Sequence, residues 1–172
     1  MSNGAPTKAE LLEALRSSGK QALETLRALP AAGWTEGRYE NGWNAREILA
    51  HLSSIEWAYP KLIDLASGEP PPEKAAPAPQ QPSMTPPAGG GTPQILNYNE
   101  RQVAKRADYT VEQLLSEIEA NRAATIAAVE AADEALFRVV ITSAGGVTGP
   151  LSTVMNFVAV EHVKMHVRDI AG

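Results

Sequence analysis

Three histidines are the residues of this chain whose type and spacing point to a chemistry. His162 and His166 stand four apart in a segment with helical periodicity. Imidazoles spaced by one helical turn project side by side toward a common point. His51 lies on a second apolar helix face, one turn after Ile48 and one before Ile55. Neutral imidazole is a ligand for Zn²⁺, Ni²⁺ and Fe²⁺ alike, so ligand type does not choose the metal. A divalent metal held by His51, His162 and His166 keeps positions open, the pattern of a catalytic site, because a structural zinc site is normally closed by four protein ligands. The plainer reading is that each histidine fills a core or boundary position. Glu47, Glu161 and Asp169 are the carboxylates within reach to hold the second ring nitrogen of a ligand. Each can also be read as a solvated surface acid. Imidazole binds a metal only when neutral, so affinity is expected to fall below about pH 6.

Other chemistries are excluded. The chain has no cysteine, hence no disulfide, thiolate ligand or cysteine nucleophile. Val163 follows His162 where the zinc-protease motif needs Glu, and no Gly-x-Ser-x-Gly elbow is present. The net charge of -5 is spread without a basic stripe, which argues against a nucleic-acid partner. No apolar run approaches the roughly 20 residues needed to span a bilayer, and the N-terminus lacks the apolar stretch of a signal peptide. These features point to a soluble, cytoplasmic protein without a membrane partner.

Helices must position the histidines. Thr7-Lys8-Ala9-Glu10 is a capping box, followed by Leu11, Leu12, Leu15, Ala22, Leu23, Leu26 and Leu29 at helical spacing, with Pro30 and Gly33 as stops. Asn44-Ala45-Arg46-Glu47 opens a second helix with the stripe Ile48, Leu52, Ile55, Tyr59 and Leu62; Pro60 should kink or shorten it, and Gly68 closes it. The stretch 69–93 is crowded with Pro, Ala, Gln and Gly and predicts an extended connection, either a plain mobile loop or a lid over a site. Thr92-Pro93 starts a short helix to about Ala107, and Thr110-Val111-Glu112-Gln113 starts a long one to about Ala132 with the stripe Leu114, Leu115, Ile118, Ile126 and Val129. The stretch 137–149, with Gly145-Gly146, reads as an irregular loop rather than a hairpin. Pro150 opens a last helix from Leu151 to about Ile170, on which Leu151, Val154, Met155, Val158, His162 and Met165 share a stripe at about 100° per residue.

These lengths predict an all-α fold, one domain over 1–172: a four-helix bundle in up-down-down-up order, with a long Pro-rich crossover between helices two and three. In that order the start of helix two lies level with the end of helix four, so His51 can meet His162 and His166. Trp43 and Trp57 are expected in the core; Trp34, like them, has the alternative of lining a pocket. Tyr98 and Arg101 are candidates for a pocket wall.

The segments Trp43-Asn44-Ala45-Arg46-Glu47-Ile48-Leu49-Ala50-His51-Leu52 and Glu161-His162-Val163-Lys164-Met165-His166-Val167-Arg168-Asp169-Ile170 resemble the motifs of the DinB/YfiT-like family, as does the stretch from Asn99-Glu100-Arg101 to Ala107. The similarity spans most of the chain, and the His triad is its specific part. The resemblance implies a three-His divalent metal site in an up-down-down-up bundle, often a homodimer. It also implies a small-molecule substrate and a low-molecular-weight thiol such as mycothiol, bacillithiol or glutathione. The expected activity is a metal-dependent, thiol-dependent S-transferase or isomerase, or a hydrolase, acting on a small electrophile. The alternative is a non-catalytic metal-binding stress-response or interaction protein. The Pro-rich insert, and Asp169 where Gln is common, depart from the family pattern.

Overall fold

In the computed structural model, residues 4–37, 42–68 and 98–172 are described in full, and 93–97 as helical backbone. The Pro-rich stretch before Pro93 lies outside the described residues.

Helix α1 (Lys8–Arg27) begins at the expected capping box: the Thr7 hydroxyl accepts from the Glu10 amide, and the Thr7 amide donates to the Glu10 carboxylate at 2.8 Å. Asn44 and Glu47 make the same reciprocal pair at the start of α2 (Ala45–Glu56), and Thr110 and Gln113 at the start of α5 (Val111–Ala131). Each box satisfies amides that a helix start leaves without partners. Pro60 acts as expected. Its ring excludes a continuous helix, so α2 stops at Glu56 and α3 (Lys61–Ser67) starts after a turn, ending at Gly68 in the left-handed region, φ 74°. Helix α4 (Pro93–Lys105) packs on α2.

The molecule is mostly helical. Helix α1 packs on α5 and on the C-terminal helical segment, and α2 packs on both as well. Two apolar clusters form the core. One gathers Leu26, Ile48, Leu49, Leu114, Leu115 and Ile170; the other gathers Leu11, Leu15, Val129, Phe137, Leu151 and Met155; Ile55 touches both.

Two features depart from the sequence expectation. The stretch read as an irregular loop contains an antiparallel hairpin, β1 (Val140–Thr142) with β2 (Thr148–Pro150), in the register Ile141 opposite Gly149. Gly146 takes the left-handed position (φ 84°) that its tight turn requires, and the Ser143 hydroxyl accepts from the Val147 amide at 3.1 Å. The last helix is also not uniform. Helix α6 (Leu151–Met155) passes into a π-helical turn, Asn156–Glu161, before α7 (His162–Ala171). A π turn closes on the fifth residue rather than the fourth, so it adds about one residue and rotates the following face by about 100°. The predicted stripe therefore breaks. Met165 is 48% exposed, whereas Val163, His166, Val167 and Ile170 turn inward.

Candidate metal centre

The π turn sets the histidines. His162 is the first residue of α7 and His166 follows one turn later. His51 comes from the second turn of α2, where it is 5% exposed between Ile48 and Ile55. The three rings converge, with centroids 4.4 Å apart for His162 and His166, 5.2 Å for His51 and His166, and 5.8 Å for His51 and His162. One ring nitrogen from each lies within 4.8 Å of the others.

The protonation pattern follows from the surroundings. Nδ1 of His166 lies 3.2 Å from Oδ2 of Asp169, one turn along the same helix. A carboxylate only accepts, so Nδ1 carries the proton and Nε2 of a neutral His166 presents its lone pair. That lone pair faces Nε2 of His162 at 2.9 Å. Burial lowers all three imidazoles. His51 falls to about 3, chiefly by burial and then by His166 and His162; His162 falls to about 4, by burial and His166 against the pull of Asp169. His166 is lowered by burial while Asp169 pulls it back up. The rings are neutral at pH 7, the state in which imidazole is a ligand. Nδ1 of His51 is buried without a hydrogen-bond partner. Convergent neutral rings, one fixed in tautomer by a carboxylate and one with a nitrogen still lacking a hydrogen-bond partner, fit a divalent cation.

His51 and His162 form part of the wall of a cavity of about 280 Å³. The rest of that wall comes from α2 and α3, from Tyr98 and Asn99 on α4, from the π turn, and from the hairpin turn at Ser143 and Val147. The Tyr59 hydroxyl, also in the wall, donates to the Val158 carbonyl at 2.7 Å and ties the α2–α3 turn to the π turn.

The other sequence candidates separate clearly. Tyr98 lines the cavity, whereas Arg101 is exposed and is not among its lining residues. Of the three carboxylates, Asp169 reaches a histidine. Glu47 is occupied with the Asn44 amide, and Glu161 pairs with Lys164 at 3.0 Å on the surface. Trp43 is partly buried, its ring 5.5 Å from that of His51, and Trp34 is buried in the core. Trp57 is corrected: it is 40% exposed, with the Lys61 ammonium 3.7 Å from its ring centroid. Ending α2 at Glu56 turns it outward, where the cation covers its face.

Sequence reasoning missed a second buried polar cluster. Glu56 on α2 and Arg122 on α5 form an ion pair, 1% and 6% exposed at their side chains. Burial pushes the Glu56 carboxyl up to about 7 against the pull of Arg122. Gly19 makes room for the pair, since a Cβ there would come within 3.2 Å of Arg122 Cγ. The signal was a gap in the α5 stripe, where Arg122 stands between Ile118 and Ile126 at four-residue spacing.

Among the described residues no helix is long and apolar enough to cross a membrane. No curated protein sequence matches the chain. Among solved structures it is similar to the mycothiol-dependent maleylpyruvate isomerase, with 19% identity, a TM-score of 0.71, and 96% of this chain covered. A mutant of that isomerase matches equally well, at 18% identity and a TM-score of 0.71. The chain spans about 61% of the length of that solved enzyme. At such identity the likeness establishes the fold. The family described as the mycothiol maleylpyruvate isomerase N-terminal domain matches residues 15–171, nearly the whole sequence. The chain therefore belongs to that family, in keeping with the DinB-like resemblance of its motifs.

Proposed function

We propose that this protein is a divalent-metal-dependent enzyme that uses a low-molecular-weight thiol on a small electrophilic molecule, as an S-transferase or isomerase. His51, His162 and His166 are the ligands in this reading. The observation that carries it is the convergence of three neutral ring nitrogens within 4.8 Å, with two of the rings in a cavity wall. A bound divalent ion would lower the pKa of a coordinated thiol or water and so supply a nucleophile near neutral pH. The chain's own residues do the rest. Asp169 fixes the tautomer and orientation of His166, and the largely apolar wall would hold the body of an apolar substrate beside the metal ligands.

The same reading takes the chain as one domain, a four-helix bundle in up-down-down-up order with 69–93 as the crossover, working in the cytoplasm as a homodimer. The packing of α1 and α2 against both α5 and α7 supports the bundle.

The test gives Zn²⁺- or Ni²⁺-loaded protein mycothiol, bacillithiol or glutathione with an activated cis-alkene, and follows both loss of thiol, which S-transfer consumes, and cis-to-trans conversion, in which the thiol adds and is released again. The expected result is one of these two reactions, dependent on metal and thiol and absent from His162→Ala. Metal binding without either reaction would instead support the alternative, a non-catalytic metal-binding protein.

A further inference from the structure

The cavity beside the histidines is lined by groups of one kind. Ile55, Leu62, Val147, Phe157 and Val158 are among its apolar lining residues. Besides His51 and His162 the polar groups are neutral: the hydroxyls of Ser143 and Tyr98 and the amide of Asn99, while the Ser54 and Tyr59 hydroxyls are already donated to the carbonyls of His51 and Val158. Among the described residues that line it there is no Lys or Arg. The cations lie elsewhere. A groove that shares Tyr98 with the cavity carries Lys61, Lys105 and Arg106, with Arg106 paired to Glu117.

Such a wall discriminates by charge. A carboxylate that leaves water needs a cation or several donors to replace its hydration, and without them the transfer is strongly unfavourable. An ester or ketone oxygen is satisfied by one hydroxyl or amide, and its alkyl parts gain from contact with the apolar side chains. The overall charge of -5 adds a weaker long-range bias in the same direction.

Building on the metal-enzyme reading above, we infer that the substrate of this site is an uncharged, largely apolar electrophile: a bound ion could take one carboxylate, but the rest of the wall offers nothing to a second, so the cavity rejects a dicarboxylate. The chain would then share the fold of the maleylpyruvate isomerase without sharing a dianionic substrate.

A matched pair tests this: diethyl maleate and maleate, with one carbon skeleton and different charge. Their affinities for the full chain are measured by calorimetry at pH 7, in chelator-treated and in Zn²⁺-loaded protein. In chelator-treated protein, where the wall alone is read, the diester is expected to bind about tenfold more tightly or better; in Zn²⁺-loaded protein the ion can take one carboxylate, and the diester is still expected to bind at least as tightly as maleate. Ala58→Phe, which fills the cavity from the α2–α3 turn, should abolish diester binding and leave metal content unchanged. Val147→Phe fills it from the hairpin and serves if the first variant does not fold. Maleate binding as tightly as the diester in chelator-treated protein, or more tightly in Zn²⁺-loaded protein, would overturn the inference, as would diester binding that survives in a folded cavity-filling variant. The chelated arm reads the cavity alone. Charge selectivity there, in a protein that takes up no metal, would count against the metal-enzyme reading and leave the cavity assignment standing.

Discussion

Helix α2 carries two buried titratable side chains five residues apart, His51 and Glu56, and they illustrate opposite uses of polarity in one core. Glu56 meets Arg122 in a closed ion pair with less than a tenth of either side chain exposed. His51 meets two further imidazoles at the edge of a cavity, with its own Nδ1 unpartnered and the nearby carboxylate, Asp169, on His166. The first cluster is self-contained: each charge needs the other, and the surrounding helices close over both. The second is open: its groups are neutral, they converge, and one side faces space large enough for a small molecule. Both types of cluster cost desolvation. An ion pair offsets that cost internally, whereas convergent lone pairs are offset by something that arrives. On the proposed function, this separates a polar cluster that fixes the fold from one that does chemistry.

Breaking each cluster should therefore give different phenotypes. The largest expected effect is on the closed pair. Arg122→Ala leaves Glu56 buried without its partner and should cost about 3–5 kcal/mol in urea unfolding, yet any protein that remains folded should keep its metal stoichiometry. A loss below about 1 kcal/mol would mean that the pair is solvated and the contrast false.

Next is the orienting contact of the open cluster. Asp169→Asn keeps the shape and removes the charge that holds Nδ1–H of His166, and should weaken metal binding by about 10–100-fold with little change in unfolding midpoint. Equal weakening by Glu161→Gln, a residue paired on the surface with Lys164, would show that Asp169 has no special part.

The smallest effect is on pH dependence. All three histidines bind protons less readily in the folded state than at their ordinary value of 6.5. Protons therefore favour the unfolded chain. The stability of metal-free protein should be complete above about pH 6.5 and decline as pH falls toward about 3 to 4, where His51 and His162 take up protons in the folded state. For the same reason, metal release from folded protein should occur below the pH of about 6 expected for unperturbed imidazoles. Denaturation midpoints at pH 7 and pH 5, alongside metal content, would check both. A midpoint that does not fall at pH 5 would mean that the rings are not held neutral by burial.

What the sequence revealed divides along the range of the forces involved. Capping boxes at Thr7, Asn44 and Thr110 are local, and their residues sit three apart in the chain. The convergence of His51 with His162 and His166 was legible because helical period and connection lengths both constrain it. The hairpin was not, since strands of three residues carry too little periodicity to oppose a loop reading. Nor was the π turn, which leaves no local signature and displaced Met165 from its predicted stripe. The Glu47 assignment could have been narrowed at once, because its own capping box already occupies that carboxylate. Arg122 appeared only as an interruption of an apolar stripe, and its partner five residues past His51 could not be named without the packing of α2 on α5.

The central claim is that His51, His162 and His166 hold one divalent metal ion. Elemental mass spectrometry of the purified protein beside a His162→Ala variant tests it most directly. About one metal per chain in the parent, lost in a variant that stays folded, is the predicted result. No metal in either protein, even after incubation with Zn²⁺ and Ni²⁺, would contradict it and make the three histidines packing residues of a helical core.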